Sequence, residues 1–478
     1  MIFPAVDPAA DPSPEALLTF LRGCRAQAGD GKRLVSISLE VDALDPLAVL
    51  ESIFEPAERH FYVERPAEGF AVAGAEAVLA FQASGAGRFE ACQRFIDETL
   101  AGAIAVGDLA APFAGPHFFL TFAFHDTVEA GEPFEAASVF VPRWQVGRRE
   151  SRTVAVANLL VDRDSPVEAM AERVLRAHSK FQTFDYGRPE WTEQAASVVG
   201  PPLGTGGEEA YLNAVARATA EIASGAFEKI VLARVKDRVA DRPIHPLRVL
   251  NTLRERFPDC YAFSAANGRG PSFIGASPER LLRVEEGRLL TEALAGSMRR
   301  GDSASEDAAL AAQLLKSDKE LREQRMVLDS IVRSLSPLGM DLRFPARPLL
   351  KRLANVQHLD TPVRAVLPAR VRLLDVLARL HPTPAVGGSP REVVIGCIRG
   401  YEGFPRGLYA GTLGWIDARG GGEFLVGLRS ALIDGTYARM YAGAGIVAGS
   451  SPERELAETD LKFEAMERAL FPRGSQSR

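Results

Sequence analysis

Cysteine is scarce in this 478-residue chain: Cys24, Cys92, Cys260 and Cys397 lie far apart with no CxxC pair, and the seven histidines are scattered. That spacing argues against a zinc site and a disulfide framework, and reduced, buried thiols are expected. Runs of one charge are also missing. The 56 basic and 62 acidic residues give a net charge of −6 and are spread along the chain, so no phosphate-tracking surface forms and nucleic acid is not an expected partner. No stretch approaches membrane-spanning length. The start, MIFPAVDPAADPSPE, carries acids and prolines where a signal peptide needs a basic end and an apolar run. A soluble, cytoplasmic protein with no membrane partner is the expectation. There is no GxSxG elbow, dinucleotide fingerprint or P-loop, and no Ser, Cys or His pattern marks an activated nucleophile, so covalent catalysis has no candidate.

What the chain does have is length enough for a large buried site. Short Val/Ile/Phe-rich runs such as Leu34 to Leu39 and Phe118 to Phe124, separated by Gly, Ala and Pro, make residues 1 to about 165 sheet-rich. A helix is expected from Ser165 to Phe181. The Pro201-Pro202-Leu203-Gly204-Thr205-Gly206-Gly207 segment breaks regular structure and reads as a linker, dividing an N-terminal part (1–200) from a second region (205–470). Beyond it, Tyr211, Val215, Ala218 and Ile222 recur at helical spacing, with Gly225 as a stop. Strands are expected at Lys229 to Val235, Leu281 to Val284, Phe424 to Leu432 and Arg439 to Ala442. Helix formers dominate Ala304 to Leu335, and a last helix runs from Ser451 to Leu470. This order of elements indicates an α+β architecture rather than regular βαβ alternation.

Several groups in the second region could carry chemistry. Alternation puts Lys229 on one strand face with Val231, Ala233 and Val235, where loss of hydration favours an amine acting as a base. Glu279 follows a Ser277-Pro278 step at the head of an apolar run, where partial burial suits a general acid. Glu320 and Glu323, and again Glu455 and Glu458, stand three apart on expected helices and so share a face, a geometry suited to a divalent ion with oxygen ligands such as magnesium. Lys462 shares the face of Glu458, and Arg429 lies among apolar residues; both could hold carboxylates. Gly443, Gly445 and Gly449 let backbone amides approach an anion ahead of the last helix. Taken singly, each is also an ordinary surface charge or turn glycine. Together they describe an α/β protein acting on a small acidic molecule with a metal.

Seven strings, in order, sharpen this: EKIVLAR around Lys229, GASPERLL around Glu279, EALAGSMRRG around Gly296, VQHLDTPVRA around His358, HPTPAVGG around Ala385, GLYAGTLGW around Tyr409, and YAGAGIVAGSSPERELAETDLK at the end. Over residues 205 to 470 the chain resembles the chorismate-utilising enzymes, the family of isochorismate, salicylate, anthranilate and aminodeoxychorismate synthases. A weaker likeness, in DPLAVL and FYVERP, precedes it.

The resemblance implies a large two-sheet α+β sandwich in which both regions form one body. It implies Lys229 as the base that activates water toward C2 of chorismate and Glu279 as the acid that protonates the departing C4 hydroxyl. Glu323 and Glu458 match the family's magnesium ligands, with Glu455 and Glu320 around them. Gly296, Ser297, Ala385, Tyr409, Arg429, Gly443, Gly445 and Lys462 match substrate-contacting positions. A lysine at 229, where aminating members usually carry glutamine, implies hydroxyl chemistry and no obligate glutaminase partner. The wording is most similar to the stand-alone isochorismate synthases, isomerases (hydroxymutases) of menaquinone and salicylate-siderophore biosynthesis. A salicylate synthase, which goes on to eliminate pyruvate, and a non-catalytic chorismate-binding regulator are the alternatives. Where many relatives read KDRHEH, this chain reads Lys319-Glu320-Leu321-Arg322-Glu323-Gln324. The metal glutamate is kept while its polar neighbours differ.

Overall fold

In the computed structural model, residues 13–29, 31–182, 184, 196–199, 207–353 and 356–472 are described. Residues 201–206 of the expected linker lie outside them.

Among the described residues, nineteen strands join by hydrogen bonds into one continuous sheet, antiparallel except where Arg33–Val41 pairs with Ile104–Val106. The sheet has two wings. One runs from Gly388–Ser389 through Lys229–Val239, Tyr437–Val447, Ser430–Asp434, Ser272–Ser277, Tyr261–Asn267 and Arg59–Arg65 to Phe70–Ala83. Phe70–Ala83 pairs with Ala137–Arg149, which leads into the second wing through His117–Phe122, Thr412–Asp417, Gly422–Val426, Arg280–Glu285, Arg288–Arg299, Val356–Val366 and Leu349–Arg352. The two expected sheets are thus continuous. Strands of the N-terminal part pair directly with strands of the second region, as Arg59–Arg65 does with Tyr261–Asn267.

The main core lies between the wings. Phe61, Phe263, Phe273 and Leu232 from the first meet Phe119, Leu282, Val363 and Phe424 from the second, with the Phe61 and Phe119 rings stacked 4.7 Å apart. Strands apolar on both faces follow from this two-sided burial. It also explains why Lys229–Val239 is buried at every one of its first six positions rather than at alternate ones. Helices Glu208–Ala223, Asp318–Leu335 and Pro452–Leu470 pack on the wings, and the expected Tyr211, Val215, Ala218 and Ile222 are the buried stripe of the first.

Two sequence expectations need correction. The helix-forming stretch from Ala304 to Leu335 is two helices, Ala304–Leu314 and Asp318–Leu335, because Ser317 turns to accept the Glu320 amide and caps the second. The stretch Phe424 to Leu432 is not one strand. Gly422–Val426 ends, the chain passes from the second wing to the first with Arg429 at φ +47°, and Ser430–Asp434 begins. Of the four free cysteines, Cys397 is only partly buried, the other three fully so.

Candidate active site

Two of the places where the chain crosses between wings in this half lie side by side. Ser277-Pro278-Glu279 links Ser272–Ser277 to Arg280–Glu285, and the Gly427 to Arg429 segment links Gly422–Val426 to Ser430–Asp434. They hydrogen-bond each other: Val426 N donates to Glu279 O at 3.1 Å and Ala276 N to Arg429 O at 3.1 Å. An acid and a cation are thereby fixed at the seam of the sheet. Among the described residues no carboxylate is within ion-pair distance of Arg429, whose Nη1 reaches only the Cys260 sulfur at 3.8 Å.

Glu279 is 9% exposed. Burial, then the charge of Glu292, pushes its carboxyl up to about 7 against the opposing pull of Lys351 and Lys229. A carboxyl that keeps its proton near neutrality is what a general acid requires.

Lys229 opens its strand and is 2% exposed. Its Nζ donates to Glu323 Oε1 at 2.7 Å. The neighbouring strand makes room for it. A Cβ at Gly445 would come within 2.9 Å of Lys229 Cε, and one at Gly443 within 2.8 Å of the Tyr409 hydroxyl. These two glycines are therefore clearances for a lysine and a tyrosine. Tyr409 stacks on Tyr441 at 5.1 Å, and burial raises its hydroxyl far above the ordinary range. On the other edge Gly388 and Ser389 pair with Ile230 and Lys229, bringing the 381–389 segment, with half-buried Ala385, alongside Lys229.

The carboxylates come from one helix on each wing, near the helix N-termini where the dipole favours negative charge. Burial works to raise Glu323, but Lys229, Lys319 and Lys462 hold it below the usual carboxylate range. Glu320 is raised by burial and then by Glu323, with Glu458 adding to this; Glu455 is raised by burial and then by Glu458. Carboxylates of two helices therefore repel one another across the site. Among the described residues no three His, Cys, Asp or Glu groups converge as a ready-made cage. The expected ligands are instead paired with cations: Glu323 with Lys229, and Glu458 with Lys462 at 2.8 Å. An all-oxygen set with mutual repulsion fits magnesium, which takes one or two carboxylates and completes its shell with water and substrate oxygens.

Gly296, at φ +75°, sits in a bulge of Arg288–Arg299. The bulge turns the Ser297 amide to Glu320 Oε2 at 3.1 Å and the Ser297 hydroxyl to His358 Nδ1 at 2.9 Å. Lys462 Nζ also donates to Gly443 O at 2.7 Å. Sequence reasoning missed the support behind these groups. Arg406 and Glu402, both 1% exposed, form a buried ion pair. Arg406 donates to Val231 O and Val386 O, and Glu402 accepts from Ala233 N, tying the Lys229 strand to the 381–389 segment. A glutamate at the end of a helix and an arginine four residues further on, in the loop that follows, give no sign of this, because the partners are backbone groups distant in sequence. A cleft of about 540 Å³ near Phe113, Trp415 and Gly287 contains none of the site residues.

A buried lysine, a buried protonatable glutamate and helix-borne carboxylates gathered around donors for anions define a class: α+β enzymes that act on a small acidic molecule. Residues 19–471 match the family described as chorismate binding enzyme, and the chain belongs to that family. It is 36% identical to the salicylate biosynthesis isochorismate synthase of Pseudomonas aeruginosa, over 93% of this chain and 92% of the relative. With the isochorismate synthase MenF of Bacillus subtilis it shares 32% identity, over 91% and 93%. The solved structure of the menaquinone-specific isochorismate synthase MenF from Escherichia coli is similar in fold, with a TM-score of 0.77, 27% identity, and coverage of 95% of this chain and 99% of that one.

Proposed function

We propose that this chain is an isochorismate synthase that converts chorismate to isochorismate with magnesium. The observation that carries the reading is the pairing of Lys229 with Glu279: both are buried, one is an amine and the other a carboxyl pushed up to about 7, and the lysine's charge acts on the carboxyl. Lys229 takes a proton from the water that bonds to C2. The ring double bonds shift, and Glu279 gives its proton to the C4 hydroxyl, which leaves as water; one water enters and one departs. Lys229 acts as a base only as the neutral amine, so the ammonium paired with Glu323 first gives up its proton to solvent, a loss that engaging Glu323 elsewhere favours. Magnesium, held by Glu323 and Glu458 with Glu455 and Glu320 around them, would neutralise the ring carboxylate. Arg429 and Lys462, with Tyr409 and the amides of Gly296, Ser297, Gly443 and Gly445, supply donors for the substrate's two carboxylates. Ala385 stands on the edge that faces Lys229.

The relatives named for isochorismate synthesis support this reading, as does a lysine at position 229. Among the described residues no helix is long and apolar enough to cross a membrane. The test is incubation of purified protein with chorismate and magnesium, with products resolved by chromatography and mass spectrometry. Isochorismate alone supports the proposal. Salicylate with pyruvate assigns the chain to salicylate synthesis, and no product with or without ammonia makes it a chorismate-binding protein.

A further inference from the structure

Beneath Glu279 lies a group of charges that the reaction as described does not use. Lys351 Nζ pairs with Glu292 Oε2 at 2.5 Å, and Arg280 Nη1 lies 3.7 Å from Glu292 Oε1. These side chains are 7 to 15% exposed. The strand register explains the gathering. Lys351 is opposite His358, Asp360 is opposite both Leu349 and Leu294, and Pro362 is opposite Glu292. Opposite residues in an antiparallel pair share a face, so Glu292, Asp360, His358 and Lys351 all project to the side that carries Ser297. Glu279 stands one residue ahead of Arg280–Glu285, the strand paired with the one that carries Glu292.

We propose that the Lys351–Glu292 ion pair acts on the reaction through Glu279, as a matched pair of opposite charges set beneath the acid. Both are positioning residues, and the inference rests on Glu279 being the acid. The groups around Glu279 are Glu292 from Arg288–Arg299, Lys351 from Leu349–Arg352, Lys229 from its own strand, and Arg280 next in sequence. Asp360 and His358 stand on Val356–Val366, and Arg429 on the adjoining crossover. Arg280 is largely committed elsewhere, to Glu423 at 2.7 Å and to Glu68. Asp360 is pushed up to about 6 by burial and then by Glu292, against Lys351, Arg280 and Arg364, and its Oδ1 is buried without a hydrogen-bond partner. His358 is held down to about 4 by burial and then by the nearby cations, Arg429 first, so it adds no charge near neutrality. Three carboxyls, those of Glu279, Glu292 and Asp360, therefore have one cation in common, Lys351. Like charges that close cannot all ionise together, and an opposite charge favours the ionised form. The charge of Glu292 helps to keep the proton on Glu279, and that of Lys351 limits how tightly it is kept.

The two halves of the pair should therefore move the acid in opposite directions, which a merely structural pair would not do. In the pH profile of kcat/KM, one limb is expected near pH 7 in the unaltered enzyme. Lys351→Met is expected to move that limb up by about one pH unit, and Glu292→Gln to move it down by a comparable amount. Lys351→Arg, which keeps the charge, should restore the original position. Circular dichroism and melting curves identify any variant that fails to fold, in which case the Met and Arg variants at 351 decide the matter between them. Movement of that limb in the same direction in Lys351→Met and Glu292→Gln, or no movement while Glu279→Gln is inactive, overturns the proposal. Wild-type turnover in Glu279→Gln would instead remove Glu279 as the acid, a separate failure.

Discussion

Replacing Glu279 by glutamine should stabilise the free protein at alkaline pH while abolishing its activity, and the size of the effect follows from the burial of this one carboxyl. In the folded chain it keeps its proton up to about pH 7, whereas an unfolded chain releases it near 4.5. Between those values the folded state binds more protons than the unfolded one, so stability falls as pH rises. Glutamine has no proton to lose and escapes that fall. From pH 5 to pH 8 the linkage amounts to about 2.5 kcal/mol in favour of the variant. With an unfolding entropy of ~2.1 cal/mol/K per residue, 478 residues give about 1 kcal/mol/K, so the difference in melting temperature should widen by about 2 to 3 °C. The measurement is calorimetry of both proteins at pH 5 and pH 8, without metal or substrate; titrations common to both cancel in the difference. A gap independent of pH, or one that narrows toward pH 8, would refute the assignment of a raised carboxyl at this position. Glu279 would then be an ordinary ionised glutamate, unsuited to protonate a leaving hydroxyl.

Lys229→Ala should abolish isochorismate formation while leaving the circular dichroism spectrum unchanged; retained turnover would remove Lys229 as the base. Gly445→Ala places a methyl 2.9 Å from Lys229 Cε, closer than real contacts allow. A displacement of the amine on the order of 1 Å should lower kcat ~10²-fold with little change in KM, and unaltered kcat would show that Gly445 is not a clearance for the base. Glu458→Ala should weaken magnesium and chorismate binding together in calorimetric titrations, since the ion would bridge protein and substrate, and an unchanged magnesium titration rejects Glu458 as a ligand.

Much of this molecule is legible in sequence wherever local pattern and tertiary environment agree. The stripe of Tyr211, Val215, Ala218 and Ile222, the strand that begins at Lys229 and the last helix all appear where periodicity places them. Alternation is less reliable in a strand buried on both faces: Ile230 and Leu232 are as buried as Val231 and Ala233, so Lys229 does not owe its burial to an apolar face opposed by a polar one. The partners of the site residues are less legible still. The Lys229 pairing with Glu323 spans 94 residues and that of Lys351 with Glu292 spans 59, and no spacing rule reaches so far. Glycines mislead in a specific way. Gly443 and Gly445 read as amides open to an anion, yet they are also vacancies filled by Tyr409 and Lys229, a use visible only once both side chains are placed.

The crossing points explain why one chain commits so many charges to so small a volume. Lys229 and the two strand glycines belong to the first wing, Gly296 and Ser297 to the second, and Glu279 and Arg429 to the adjacent segments that pass between them. Each wing also brings one carboxylate-bearing helix: Asp318–Leu335 against Arg288–Arg299, and Pro452–Leu470 against Tyr437–Val447. No single element holds both Lys229 and Glu279, so the distance between them is set by the sandwich itself. The stacked Phe61 and Phe119 rings and the close-packed core between the wings then act on catalysis indirectly, by fixing a spacing that tolerates little error. This division also separates two buried supports. Arg406 and Glu402 hold the Lys229 strand from behind, while Lys351 and Glu292 lie under Glu279. Damage to the first should act on Lys229 and damage to the second on Glu279, although all four residues are charged and little exposed.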